Sequence, residues 1–285
     1  MQAGMIGLGA MGQGMAYNLS KSGFLAGIYN RTSHVAQTQA GTLGVEAYPS
    51  LQDLAINVDI VLICVSADQD VLSVVDSISE TIKPGSVVVD MSTVSSDTAR
   101  QAADLLKTRG ADFLDAPVSG GVEGAKNGTL AMMIGGNSEV LERVRPVLEA
   151  MTARIEHLGD IGAGQACKAV NQIVAAGINQ AVTEALAFAE AQGLNLDKVI
   201  DVVSGGAAGN WFLQHRGKTM TQGVFKPGFK LALHHKDLMI CQQMAQQVSV
   251  DCPLTEATLH GYAKLMQQGF GDEDISALYR LKRKP

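Results

Sequence analysis

The sequence predicts a doubly wound α/β half followed by an all-α half, the two joined by one long helix. Three observations carry this. The first half alternates short apolar runs with helical stretches, the pattern of parallel strands joined by crossover helices. The β-like runs stop after Gly164. Between the halves, Ile161 to Gln192 has a glycine-rich start and then continues without a proline or glycine cluster to stop it.

Taken in order, Ala3 to Ile6 reads as a strand leading into a glycine turn, with a helix from about Met11 to Ser22. Phe24 to Tyr29 is a second strand. Ile60 to Val65 and Ser86 to Asp90 are continuously apolar, as expected of central strands covered on both faces. Helices follow them at Asp68 to Ser79 and Ser95 to Thr108. Further strands are expected at Asp112 to Leu114, Leu130 to Ile134 and Arg154 to His157.

Beyond the long helix, helical patterns cover Leu196 to Val203, Leu231 to Gln247 and Leu254 to Gln268. Ser204-Gly205-Gly206 and Lys226-Pro227-Gly228 punctuate them. The shift divides the chain into residues 1–161, an α/β domain, and 162–285, an all-helical domain. Within the long helix Val170, Ile173, Val174, Ile178, Ala181, Ala185 and Phe188 recur at threes and fours. They give the helix one apolar side, expected to be core between domains or between subunits.

Composition narrows the function. A chain of 285 residues, 46% hydrophobic, can bury a large core. Its formal net charge of −6 argues against nucleic-acid binding, and the basic tail Arg280 to Lys284 reads as a solvated helix end. No signal peptide or membrane span is expected. Cys64, Cys167, Cys241 and Cys252 show neither disulfide nor zinc spacing, so no metal is expected and the reading is cytoplasmic.

Gly7-Leu8-Gly9-Ala10-Met11-Gly12 is GxGxxG between a strand and a helix. The first glycine allows a tight turn and the second lets a pyrophosphate approach the backbone. The third lets helix and strand pack closely, with the helix N-terminus facing the phosphates. The first domain is therefore Rossmann-type. At the end of the second strand, where an NAD site usually carries an acid, stand Asn30, Arg31 and Thr32. An arginine pairs with a 2′-phosphate and a threonine adds a hydroxyl donor, so NADP(H) is expected over NAD(H).

Ser119, Gly120 and Gly121 follow a predicted strand and offer one hydroxyl and exposed backbone N–H groups, which suit a carboxylate. No base or GxSxG context makes Ser119 a nucleophile. Lys168, Asn171 and Gln172, at i, i+3 and i+4, bring a cation and two amides towards one helix face. A lysine in the first turns opposes the helix dipole, so Lys168 is expected to do chemistry.

These motifs resemble the β-hydroxyacid dehydrogenase family, which includes 3-hydroxyisobutyrate dehydrogenases, tartronate semialdehyde (2-hydroxy-3-oxopropionate) reductases and glyoxylate/succinic semialdehyde reductases. The resemblance rests on GLGAMG near the start, DMST at Asp90 to Thr93, DAPVSGG at Asp115 to Gly121, GAGQACKAVNQ at Gly162 to Gln172, and FKPGFKLALHHKDL at Phe225 to Leu238. It implies that Lys168 is the catalytic lysine, that Ser119, Gly120 and Gly121 hold the substrate carboxylate, and that Thr93 touches the cofactor. It also implies that Lys236 reaches the cofactor. Val65 and Ser66 would form the cofactor loop after the fourth strand, with Ser66 where the family often has proline. Asn171 and Gln172 fall where the family has one or two asparagines. Gln172 resembles the tartronate semialdehyde reductases, whereas Trp211 resembles the 3-hydroxyisobutyrate group and would line the substrate pocket.

Chemistry agrees with the resemblance. Hydride attack on a carbonyl carbon builds negative charge on its oxygen, and a general acid must protonate it. A lysine serves when its pKa is tuned to roughly 7–8. The expected partner is a small carboxylate-bearing aldehyde or hydroxyacid, and family members form dimers or tetramers. An imine reductase is disfavoured by Lys168, since those enzymes usually carry an acid or tyrosine there. A non-catalytic dinucleotide-binding module is disfavoured by Lys168 together with the Ser-Gly-Gly loop.

Overall fold

The computed structural model describes residues 1–283; the end of the basic tail, Lys284 and Pro285, lies outside them. The chain forms two compact units, Met1–Lys168 and a second beginning at Ala169.

The first unit runs β1 (Ala3–Ile6), α1 (Gly12–Lys21), β2 (Leu25–Tyr29), α2 (Ser33–Leu43), β3 (Glu46–Ala47), α3 (Leu51–Asn57), β4 (Ile60–Ile63) and α4 (Asp68–Ser79). It continues through β5 (Val87–Asp90), α5 (Ser96–Lys107), β6 (Asp112–Asp115), β7 (Val118–Ser119), α6 (Gly121–Asn127), β8 (Leu130–Gly135), α7 (Ser138–Glu149) and β9 (Thr152–Gly159). The sheet order is β3-β2-β1-β4-β5-β6-β8-β7, with β9 beside β8. From β3 to β6 all pairs are parallel, and β8 turns antiparallel against β6. Strand order reverses at β1 and β4, which leaves a crevice at their carboxyl ends.

Strand periodicity builds two cores from one sheet. Met5, Leu62 and Val89 face one side, with Met15 and Leu19 of α1 in the same core. Their chain neighbours Ile6, Val61, Ile63 and Val88 face the other, with Val71 and Val75 of α4. Burial on both faces explains why these strands read as unbroken apolar runs.

The second unit comprises most of α8 (Ala163–Ala191), then α9 (Leu196–Ser204), α10 (Trp211–Thr221), α11 (Leu231–Gln247), α12 (Pro253–Gln267) and a closing 3-10 turn, Ile275–Leu281. Its core gathers Leu186, Leu213, Leu238, Tyr262 and Tyr279.

Within the subunit part of the apolar recurrence of α8 lies on the outside: Val170, Val174 and Phe188 are 60%, 54% and 65% exposed. The buried stripe is Gln165, Lys168, Gln172, Ala176, Asn179, Thr183 and Leu186, again at threes and fours. Two of its polar side chains are tied in by hydrogen bonds. Asn179 Nδ2 donates to the Tyr262 hydroxyl at 2.8 Å and to the Ile275 carbonyl, and the Thr183 hydroxyl returns to the Asn179 carbonyl.

Candidate active site

In the α/β unit the glycine motif has the three properties expected of it. Gly7 has φ +95°, and a Cβ there would overlap the Cys64 carbonyl oxygen. A Cβ at Gly12 would overlap the Gly7 carbonyl. Gly9 has open space around it, so a ligand can reach the backbone there. Leu8, Ala10 and Met11 complete the turn, and α1 starts after Met11 without a side-chain cap. Its first N–H groups suit a pyrophosphate. The residues present therefore fit a dinucleotide.

Asn30 supports this loop, because its Oδ1 accepts the Leu8 N–H at 3.0 Å. Arg31 is 89% exposed and its Nη1 lies 3.3 Å from Asp70 Oδ1. Thr32 is exposed and precedes α2, with no side-chain cap bond. The three expected 2′-position residues thus divide: one braces the glycine turn, while two remain on the surface.

The loops after β4 and β5 are tied together. Val65 N–H donates to Ser92 Oγ at 2.9 Å, and Ser66 is exposed beside it. Thr93 is half-buried, and its neighbours on both sides are held by Gln165. Gln165 Nε2 donates to the Ser92 carbonyl at 2.9 Å, while its Oε1 accepts from Val94 N–H at 3.2 Å. Asp115 at the end of β6 receives Gly162 N–H and Gln165 N–H, one on each carboxylate oxygen. Burial pushes the Asp115 carboxyl up, opposed by those N–H groups. Lys168 follows at 8% exposure on the same helix.

Ser119 closes β7, half-buried. Gly120 and Gly121 both take positive φ, +131° and +61°, turning the chain into α6. Side chains other than glycine resist this turn.

In the helical unit, Asn171 and Gln172 are side by side: Asn171 Nδ2 donates to Gln172 Oε1 at 2.7 Å. Lys236 Nζ lies 2.9 Å from Asp237 Oδ1. Trp211 is exposed at the start of α10, stacked on His215 with ring centroids 4.3 Å apart, and Arg216 lies over its ring. Sequence reasoning missed Asp115, Gln165, Ser92 and Asp237 as supports. All four lie inside the motifs that carried the resemblance, but none of them stands where a reacting group is expected.

The strand order and the open glycine turn define a dinucleotide-binding protein. A family model described as the NAD binding domain of 6-phosphogluconate dehydrogenase matches residues 2–159. One described as NAD-binding of NADP-dependent 3-hydroxyisobutyrate dehydrogenase matches residues 162–282. The chain is 35% identical to the 2-hydroxy-3-oxopropionate reductase of Escherichia coli, covering 98% of this chain and 96% of that one. It is 33% identical to the NAD-dependent L-serine dehydrogenase of Pseudomonas aeruginosa, over 98% and 97%. The solved 3-hydroxyisobutyrate dehydrogenase of Mycobacterium tuberculosis with L-serine superposes with a TM-score of 0.91 at 33% identity, covering all of both chains. The chain belongs to the β-hydroxyacid dehydrogenase family and is an NAD(P)-dependent oxidoreductase. Among the described residues no helix is long and apolar enough to cross a membrane.

Proposed function

We propose that this enzyme is an NADP(H)-dependent reductase of a small semialdehyde acid, with tartronate semialdehyde preferred and Lys168 as general acid. The observation that carries the reading is the burial of a lysine, Lys168, one turn before an amide pair on the same helix. The likeness to the 2-hydroxy-3-oxopropionate reductase supports the substrate. In the same reading residues 1–161 bind the dinucleotide and 162–285 serve substrate and assembly.

The bound cofactor supplies the hydride. Ser119, Gly120 and Gly121 hold the substrate carboxylate, which sets the distance from the acid group to the reacting carbon and selects small acids. As the carbonyl carbon accepts hydride, Lys168 Nζ delivers a proton to the carbonyl oxygen; in oxidation the neutral amine takes it back. Asn171 holds the substrate hydroxyl, with Gln172 beside it, and Trp211 lines the pocket. Gly7 to Gly12, Val65, Ser66, Thr93 and Lys236 serve the cofactor.

Arg31 and Thr32 read the 2′-phosphate, and Asn30 holds the turn that presents it. Arg31 is exposed and its ion pair with Asp70 lies on the surface, so it costs little to exchange for a phosphate. The exposed apolar face of α8 supports a homodimer or homotetramer. Four cysteines spaced for neither a disulfide framework nor a zinc site fit a cytoplasmic enzyme.

The test is the initial rate of NADPH oxidation with tartronate semialdehyde, glyoxylate, succinic semialdehyde and methylmalonate semialdehyde, with NADH in parallel. Preference for tartronate semialdehyde with NADPH is expected. Preference for methylmalonate semialdehyde would favour a 3-hydroxyisobutyrate dehydrogenase. Silence across the panel would overturn the reading.

A further inference from the structure

We propose that Gln172 is a positioning residue that couples Asp237 to Asn171, so that one hydrogen-bonded line orients the substrate-side amide and holds Lys236. The inference rests on the proposed function for the roles of Asn171 and Lys236. Every group in it belongs to the helical unit.

Gln172 is 2% exposed, and both ends of its amide are engaged by the protein. Its Oε1 accepts from Asn171 Nδ2 at 2.7 Å, and its Nε2 donates to Asp237 Oδ2 at 2.6 Å. The other oxygen of Asp237 faces Lys236 Nζ at 2.9 Å. A buried carboxylate is costly unless paired and bonded, and Asp237 meets that cost with one cation and one amide. The line therefore runs Lys236, Asp237, Gln172, Asn171.

The backbone of Gln172 is gripped as well. Its carbonyl lies 3.3 Å from His234 Nε2, and His234 Nδ1 lies 3.0 Å from the Tyr262 hydroxyl. Asn179 donates to that hydroxyl, which leaves the Tyr262 proton for His234 Nδ1 and a proton on Nε2 for the Gln172 carbonyl. His234 and Asp237 are three residues apart on α11, so one helical turn holds Gln172 by its carbonyl and by its amide.

The arrangement explains why glutamine stands here. An asparagine at 172 would withdraw the amide by one methylene, about 1.5 Å, beyond hydrogen-bond reach of Asp237. With Nδ2 held by Gln172, Asn171 keeps Oδ1 as the acceptor for a substrate hydroxyl.

The test compares Gln172→Asn, Asp237→Asn, the double variant and Asn171→Ala, with tartronate semialdehyde and NADPH. Gln172→Asn should raise KM for the acid about tenfold with kcat within about threefold, the pattern of lost orientation in binding. Asp237→Asn keeps an acceptor and should raise it less. The double variant should be no worse than Gln172→Asn, because the two act through one line. Additive effects, or a lowered Tm with unchanged KM, would overturn the coupling alone. An unchanged KM in Asn171→Ala would overturn the proposed role of Asn171, and the coupling with it.

Discussion

The carboxylate of Asp115 receives the backbone N–H of Gln165 at 2.9 Å, and through that bond the end of β6 starts the helix that carries Lys168. Its second oxygen takes Gly162 N–H at 2.7 Å, so the carboxylate satisfies two of the orphan donors at the start of α8. Asp115→Ala should destabilise the protein by about 2–4 kcal/mol, since it strands two buried N–H donors at about 1–3 kcal/mol each. Urea unfolding measures it, and a change below about 1 kcal/mol would contradict the cap.

The same residue sets a pH dependence. Burial raises the Asp115 carboxyl above its unfolded value, against the pull of the N–H groups. The folded state then binds more protons than the unfolded one in the window between the two values. Its contribution to stability therefore falls as pH rises from the unfolded carboxylate range, about 3.9, towards the raised value. Asp115→Asn should flatten this part of the stability–pH curve, read as the difference between the two proteins.

Lys168→Ala should lower kcat by about 10²- to 10⁴-fold, the usual contribution of a positioned proton donor. NADPH binding, followed by nicotinamide fluorescence, should stay within about threefold of the native value. Retained turnover would remove Lys168 from the reaction.

Arg31→Ala should weaken NADPH binding at least about tenfold and leave NADH nearly unchanged, because a phosphate–guanidinium pair is present with only one of them. Equal losses for the two cofactors would show that Arg31 does not read the 2′-position. Since Arg31 is 89% exposed, its attraction to a phosphate is screened and the effect should shrink as salt is added.

Val174→Glu with Phe188→Glu should lower the mass in solution if α8 meets a second copy of the chain. Both side chains are exposed within the subunit, so a native Tm at low protein concentration is expected alongside the smaller species. An unchanged mass by light scattering would move the contact elsewhere.

The central strands and α4, α5 and α11 are legible because their patterns are locally unambiguous: Ile60–Ile63 is unbroken apolar, and Leu231–Gln247 keeps its helical period. Other elements give weaker signals. α2 carries Thr38, Gly41 and Thr42, α7 contains Pro146, and α10 contains Gly217. β3 and β7 have two residues each and exist only as pairings. The buried face of α8 was unreadable for a different reason. Burial of Asn179 depends on Tyr262, eighty-three positions away, and no local pattern reveals such a partner. Reacting residues belong to recognisable motifs, whereas supports such as Gln165 and Asp237 become visible only when their partners fold against them.

The Asp115 cap also decides how the chain can be dissected. A fragment ending at residue 161, where composition alone would cut, deletes both N–H donors and leaves a fully buried carboxylate stranded inside its own sheet. A nucleotide-binding half made in isolation must extend past Gln165 to keep its own last strands intact. The opening turns of α8 are thus part of the architecture they seem only to follow.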